Sequence, residues 1–379
     1  MRAMRLTARL LNRATLDRQL LLERATMGVG DAVRRVVALQ AQEPASPYLA
    51  LWNRLVAFDP AELDAAFASG ALVKATLLRI TMHAVHARDY PPFHAAMVSS
   101  LRASRLFDRR FKVSGITVAE ADALLPEVLA FAQRPRTRVD LEAMLAPRLG
   151  EAAQPVAWAM RTFAPFHHAP NGTPWSFRSP SAFVAARATL PTASRDESVR
   201  WLLRRYLEGF GPASAADFAQ FTMLTRAVAR EPLRALGDEV VELEGPDGSP
   251  LFDLAGAALP AENAPAPPRL LPMWDSTLLA YADRGRLIPP DYRRHVTRQN
   301  GDVLPTLLVE GYVAGVWRPA AGGIEATAFQ ALSDDAWAGL AAEARALTTF
   351  LADRDPAVYR RYGHWWSRLP GAETRLLPA

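Results

Sequence analysis

The chain has 379 residues, half of them apolar and 22% charged, with no cysteine and a formal net charge of +5 at a pI near 9.8. That length exceeds one hydrophobic core and predicts several domains; the missing cysteine excludes disulfides, thiolate nucleophiles and sulfur-ligated metals. Apolar runs fall short of the roughly 18–20 residues of a membrane span, and arginines interrupt the N-terminal "MRAMRLTARLLNRATLDRQ" where a signal peptide needs a continuous apolar run, so a cytoplasmic protein without a membrane partner is expected. Of the 44 basic residues only Lys74 and Lys112 are lysine. Arginine's planar fork suits phosphates and base edges, but a GC-rich genome produces the same bias without a polyanionic partner.

Residues 15–39 read as two helices, "TLDRQLLLERATM" and "GDAVRRVVAL", opened by Thr15 and Asp31 and split by Gly28 and Gly30. A helix "SPYLALWNRLVAF" follows, then "DPAELDAAFASG", opened by Asp-Pro and closed by Gly70. "ALVKATLL" and "RITMHAV" read as strands. Helices followed by a two-stranded ribbon give the order of a winged helix. The order recurs over 117–185, with two helices, a helical stretch at 154–162, and a ribbon around the turn "NGTP". It recurs again from "SRDESVRWLLRRYLEGFGPASAADFAQF" to the strands "EVVELEG" and "PLFDL". After an Ala/Pro-rich connector at 255–272, "TLLAYA", "TLLVEGYVAGVW" and "IEATAFQAL" read as strands, closed by the helix "DDAWAGLAAEARALTTFLADR". The expectation is a mostly α (α+β) chain: tandem winged-helix domains at 1–114, 115–193 and 194–264, then a small β-rich domain at 265–379.

The stretch "VVALQAQEPASPYLALW" places two glutamines where an apolar helix meets its end. On a continued helix Gln40 and Gln42 would point about 200° apart. Pro44 disfavours that continuation, and an extended segment puts both on one side by its two-residue period. Two readings stay open on these grounds: helix-terminal amides capping carbonyls, or two neutral amides aimed at one point.

"LQAQEPASPYLALWNRL" followed by "LLRITMHAVHARDY" resembles the N-terminal signature of the AlkZ-like and YcaQ-like bacterial DNA glycosylases. The resemblance continues through "RRYLEGFGPASAADFAQF", "LLPMWDSTLLAYADRGR" and "PTLLVEGYVAGVWRP", roughly residues 10–330. Gln40-Ala41-Gln42 looks like the Gln-x-Gln branch. The resemblance implies tandem winged-helix enzymes that excise bulky alkylated purines from double-stranded DNA, here as a monomer and in self-resistance to a DNA-alkylating natural product. Cationic N7-alkylguanine leaves readily, so the protein's task is to position water at C1′ and stabilise charge on the sugar. Gln42 is expected to hold the water, with Gln40 orienting it or supporting the cation. The alternative from another class is a non-catalytic winged-helix regulator or adduct sensor. A nucleoside or carbohydrate hydrolase would need a titrating carboxylate pair.

Glu43 is the nearest carboxylate, on the opposite side of an extended segment. Arg79, Thr81 and His83 share a face of the "RITMHAV" strand and match a family stretch, which implies contacts to phosphate or sugar; a half-buried structural role fits equally. The run "YADRGRLIPPDYRRHVTRQNG" holds Arg284, Arg286, Arg293, Arg294, His295 and Arg298; it reads as a solvated loop or, through the resemblance, as a DNA-contacting element. His83 with His86, and His167 with His168, lack companion ligands, so no metal and no cofactor are expected. Without a lysine in a matching motif, a monofunctional glycosylase using water is expected.

Overall fold

The protein is described from a computed structural model covering residues 4–172, 174–186, 193–370 and 372–378; Thr173 of the expected "NGTP" turn lies outside them. The Thr7 hydroxyl accepts from the Leu10 N–H and opens α1 (Ala8–Arg18). The first helix therefore starts well before Thr15, whose hydroxyl is committed instead to the Tyr281 hydroxyl at 2.8 Å. Helix α2 (Val29–Arg35) ends early because Val37 adopts a φ of 74°, turning the chain into β1 (Leu39–Gln40). Next come α3 (Ser46–Arg54) and α4 (Pro60–Ser69). Asp59 caps α4 at its start and the left-handed Gly70 stops it, as that sequence dictates.

Strands β2 (Leu72–Thr76) and β3 (Met82–His86) form a hairpin around a tight turn. Helix α5 (Tyr90–Leu106) has no counterpart in the sequence reading, and it opens with two consecutive prolines. They fall in the first turn, where a missing N–H is harmless. After α6 (Arg109–Lys112) come α7 (Val118–Phe131), β4 (Arg136–Thr137), α8 (Arg138–Leu149), α9 (Ala153–Phe163), β5 (Phe166–Ala169) and β6 (Ala182–Ala185). Capping boxes at Thr117 and Thr137 open α7 and α8. Lys74 of β2 pairs with His168 of β5, so the two ribbons join in one antiparallel sheet of order β1-β3-β2-β5-β6-β4. Residues 39–86 and 136–185 thus share a sheet, with β1 on its edge.

A third group of helices, α10 (Arg195–Phe210), α11 (Ala215–Thr222) and α12 (Arg226–Ala235), leads into the hairpin β7 (Val240–Glu244) and β8 (Pro250–Leu254). Arg18 ties α1 to β8 through two 2.7 Å bonds to the Asp253 carboxylate. Then follow β9 (Arg269–Leu271), α13 (Arg293–Val296), β10 (Thr306–Val309), β11 (Tyr312–Ala320), β12 (Gly323–Ala328), α14 (Asp334–Ala352) and β13 (Glu373–Pro378). The second sheet runs β13-β12-β11-β10-β9. "TLLAYA" is not one of its strands. Asp275 accepts from the Thr277 N–H and bends the segment into a 3₁₀ turn at Ser276–Leu278, taking the donor a ladder would use. The chain is an α+β fold with one large apolar core shared by these groups and a small second cluster of Leu6, Leu11 and Leu251.

Candidate functional site

The glutamine pair sits where the edge strand β1 turns toward α3. The Ala41 N–H donates to the Met82 carbonyl at 2.8 Å, so Gln40 and His83 form the closely spaced, non-bonded pair of the ladder. The Gln40 N–H faces outward and donates to Ser276 Oγ at 3.1 Å, while that hydroxyl donates to the Ala38 carbonyl at 2.9 Å. Gln40 is 4% exposed, and its Oε1 accepts from the Gln42 N–H at 2.8 Å. Gln42 is exposed, and its side-chain amide has no partner among the described residues. Strand β1 ends at Gln40, and the two amides are not equivalent. Gln40 fixes the backbone of Gln42 and leaves that amide free.

Ser276 is itself held from below. The adjacent Asp275 receives both guanidinium nitrogens of Arg54 at 2.9 Å, and both side chains are essentially sealed from solvent. Burial alone would raise the Asp275 carboxyl, but the Arg54 charge and hydrogen bonds, with those from Thr277, hold it below the usual carboxylate range. Removing the Ser276 hydroxyl strands the Gln40 N–H and the Ala38 carbonyl. Ser276→Ala is therefore expected to cost about 1–3 kcal/mol in chemical denaturation, since one buried donor loses its acceptor.

Glu43 is engaged elsewhere in the fold. It forms an ion pair with Arg361 and accepts from the Tyr362 hydroxyl at 3.1 Å. This carboxylate is committed to the C-terminal turn. Glu43→Gln is expected to change the rate by less than about tenfold, whereas loss of a true general base costs about 10²–10⁴-fold.

Arg79, Thr81 and His83 do not share one strand face. Arg79 lies in the hairpin turn with a φ of 55°, and its guanidinium donates to the Gln220 carbonyl at 3.3 Å. The Thr81 hydroxyl closes the same turn on the Leu78 carbonyl at 3.1 Å. His83 alone is in β3. It is 1% exposed, and its Nδ1 donates to the Thr81 carbonyl at 3.1 Å. Burial brings its pKa down to about 4, so the imidazole beside Gln40 is neutral at physiological pH. Burial also lowers His167 to about 4, helped by His94, and His168 to about 3, helped by Lys74 and Arg161. These groups bind protons more weakly folded than unfolded, so their stability contribution is complete above the ordinary value of 6.5 and shrinks as pH falls toward 4. The thermal midpoint is expected to fall across that window and to stay level above it.

The basic run divides in two. Arg284 is buried and donates to the Thr297 hydroxyl at 2.7 Å; burial, then Arg79 and Arg293, bring its guanidinium down to about 10. Arg286 lies 4.0 Å above the Tyr281 ring and donates to the Pro212 carbonyl at 2.8 Å. Those two brace the turn. Arg293 and Arg294 are exposed on α13, with His295 and Arg298 half-buried beside them, and none of these arginines has an ion-pair partner among the described residues. Among those residues no three His, Asp or Glu groups gather as a metal set. His86 accepts from the Arg88 N–H, His167 packs edge-on to Tyr90, and His168 packs against Phe183.

Sequence reasoning missed Ser276 and the turn at Arg360–Arg368. The signal for the second was present as "RRYGHWWSR", a basic and aromatic run near the C-terminus. A family described as "DNA glycosylase AlkZ-like" matches residues 33–350. A protein of Streptomyces sahachiroi named "Interstrand DNA cross-link repair glycosylase" is 27% identical over 325 residues, covering 80% of this chain and 85% of that one. The solved structure of Streptomyces sahachiroi DNA glycosylase AlkZ superposes with a TM-score of 0.76 at 22% identity, covering 91% of this chain and 96% of that one.

Proposed function

The chain belongs to the AlkZ-like DNA glycosylases, and from that membership we propose that it hydrolyses the N-glycosidic bond of bulky, cationic N7-alkylguanines in duplex DNA, with Gln42 holding the attacking water. The observation that carries this reading is the unpartnered, exposed amide of Gln42 on a backbone fixed by Gln40 Oε1. A preorganised amide oxygen orients water and stabilises positive charge on the sugar without any reorganisation during the reaction. It is a poor base, so the water loses its proton late, as suits an oxocarbenium-like transition state. Cationic guanine leaves without an acid. The site accordingly needs no titrating carboxylate, and Glu43 is otherwise engaged.

Gln42 is exposed just past the end of the buried edge strand β1, which admits an adduct too large for an enclosed pocket. The relative from Streptomyces sahachiroi carries interstrand cross-link repair in its name, and unhooking of N7-linked cross-links belongs to the same proposal. Self-resistance in a producer of alkylating compounds follows from that substrate class. Neither lysine serves as an imine-forming amine here. Lys74 is in register with Ala84, and Gln40 with His83 one residue earlier, so Lys74 faces the other side of the sheet. Lys112 is exposed on α6. The protein acts as a monofunctional glycosylase and leaves an abasic site.

Neutral amides and a histidine at about 4 predict a rate that is flat between about pH 6 and 8, where an acid–base pair would give a bell. Single-turnover release of N7-methylguanine and of a bulkier N7-alkylguanine tests the reading. Tight binding of the lesion without release would instead identify an adduct sensor.

A further inference from the structure

The C-terminal turn at Arg360–Arg368 lies beyond the segment that the family matches, which ends at residue 350. It packs against the basic helix α13 and the loop after it. The Arg298 guanidinium lies 4.4 Å from the centre of the Trp365 ring, and Arg368 lies 5.6 Å from the same ring. The Trp365 indole N–H donates to Asp302 at 2.8 Å, which fixes the ring. Between these groups is a cavity of about 350 Å³, lined by Arg294, Thr297, Arg298, Gln299, Trp365 and Arg368. Its wall contains no carboxylate. The Asp302 carboxylate lies beside it, with its Oδ2 accepting from the Trp365 indole and from Asn300.

Three guanidinium groups line this cavity, none with an ion-pair partner within 4 Å among the described residues, and Asp302 is the one carboxylate whose charge reaches Arg298. Burial and the Arg368 charge lower the Arg298 guanidinium more than Asp302 raises it, which leaves the cluster favourable to an added anion. The Thr297 oxygen accepts from Arg284, which leaves its hydroxyl proton free to donate. A lining dominated by donors, in a shallow site, suits phosphate oxygens. Stacking of a base is disfavoured because the guanidinium groups already cover the indole.

We propose that this cavity is a phosphate site for the DNA backbone, closed by Trp365 and Arg368 of the C-terminal turn, and that it sets where the damaged strand lies over Gln42. The inference rests on the DNA reading above. The mechanical link is short. Arg361 and Tyr362 of the same turn hold Glu43, the residue after Gln42. Tyr362 also packs edge-on against Trp274 at 5.5 Å, two residues before the Ser276 that holds Gln40. Arg368 is thus a positioning residue, touching DNA but not the reacting atoms.

The test is the salt dependence of affinity for an undamaged duplex, followed by anisotropy, so it does not depend on excision. Arg368→Ala and Arg294→Ala should each reduce the slope of log K against log salt by about 0.9, the contribution of one phosphate contact. Arg368→Lys should restore most of that slope, and Arg109→Ala, an exposed arginine outside the cluster, should leave it unchanged. Duplex binding should also quench tryptophan fluorescence in wild type more than in Trp365→Phe. Thermal midpoints equal to wild type confirm that the variants are folded. An unchanged slope in folded Arg368→Ala overturns the proposal. So does quenching by a deoxynucleoside monophosphate at concentrations matching those of duplex, which would make this a free-nucleotide site. Failure of wild type to release any modified base, with these slopes intact, would sink the glycosylase substrate reading and leave the phosphate site standing.

Discussion

Gln42→Ala is expected to lower the single-turnover rate of base release by about 10²–10³-fold, the usual cost of removing one preorganised electrostatic group from an active site, while duplex affinity stays near wild type. The loss falls on the maximal rate because the amide meets charge that develops only in the transition state. Gln42→Glu distinguishes two routes by which a side chain at this place can act. If the carboxylate holds water and faces the cationic sugar, activity survives and becomes dependent on pH through the new group. Gln40→Ala acts one step removed, by freeing the Gln42 N–H that Oε1 now holds. Its effect should be smaller than that of Gln42→Ala, and it should be accompanied by lost stability because Gln40 is buried.

The largest expected stability effect lies at Asp275. It is completely buried, bound at both oxygens by Arg54, and supported by Thr277. Asp275→Ala leaves a sealed guanidinium without a counter-charge and should cost about 3–5 kcal/mol. Chemical denaturation reads this directly as a lower midpoint with an unchanged slope. The double variant Arg54→Met with Asp275→Leu removes both charges, and should recover much of the loss. Activity should not recover with it, because Ser276 and through it Gln40 depend on the turn that Asp275 closes. The Asp275 carboxyl is held below its usual range, so its contribution is present above the unfolded value and is lost as pH falls through the folded one. The buried histidines act in the same direction at higher pH. Stability should therefore decline over two overlapping pH ranges as the solution is acidified.

Much of the architecture was legible because it rests on local rules. Asp59-Pro60 and Gly70 bound α4 as written, and the alternating "ALVKATLL" and "MHAVH" form the expected hairpin. Errors arose where tertiary contacts took over a local signal. Thr15 has the chemistry of a cap but serves Tyr281 from inside a helix. "TLLAYA" has the composition of a strand but is bent by Asp275. At the proposed site, the family signature pointed to Gln40 and Gln42, and spacing suggested two convergent amides. The structure divides them into a buried support and an exposed amide, because Ser276 arrives from 236 residues further along the chain. No pattern around residue 40 carries that contact. The arginines of the 284–298 run look alike in sequence, and only packing separates the two that brace the turn from those left unpaired.

The most direct test is base release from N7-methylguanine and bulky N7-alkylguanine duplexes in single turnover, with wild type beside Gln42→Ala and with duplex affinity measured on the same preparations. Gln42 as the water-holding group predicts an abasic product from wild type, and a loss of about 10²-fold or more in the variant at unchanged affinity. A folded Gln42→Ala protein that releases the base as fast as wild type would contradict it outright.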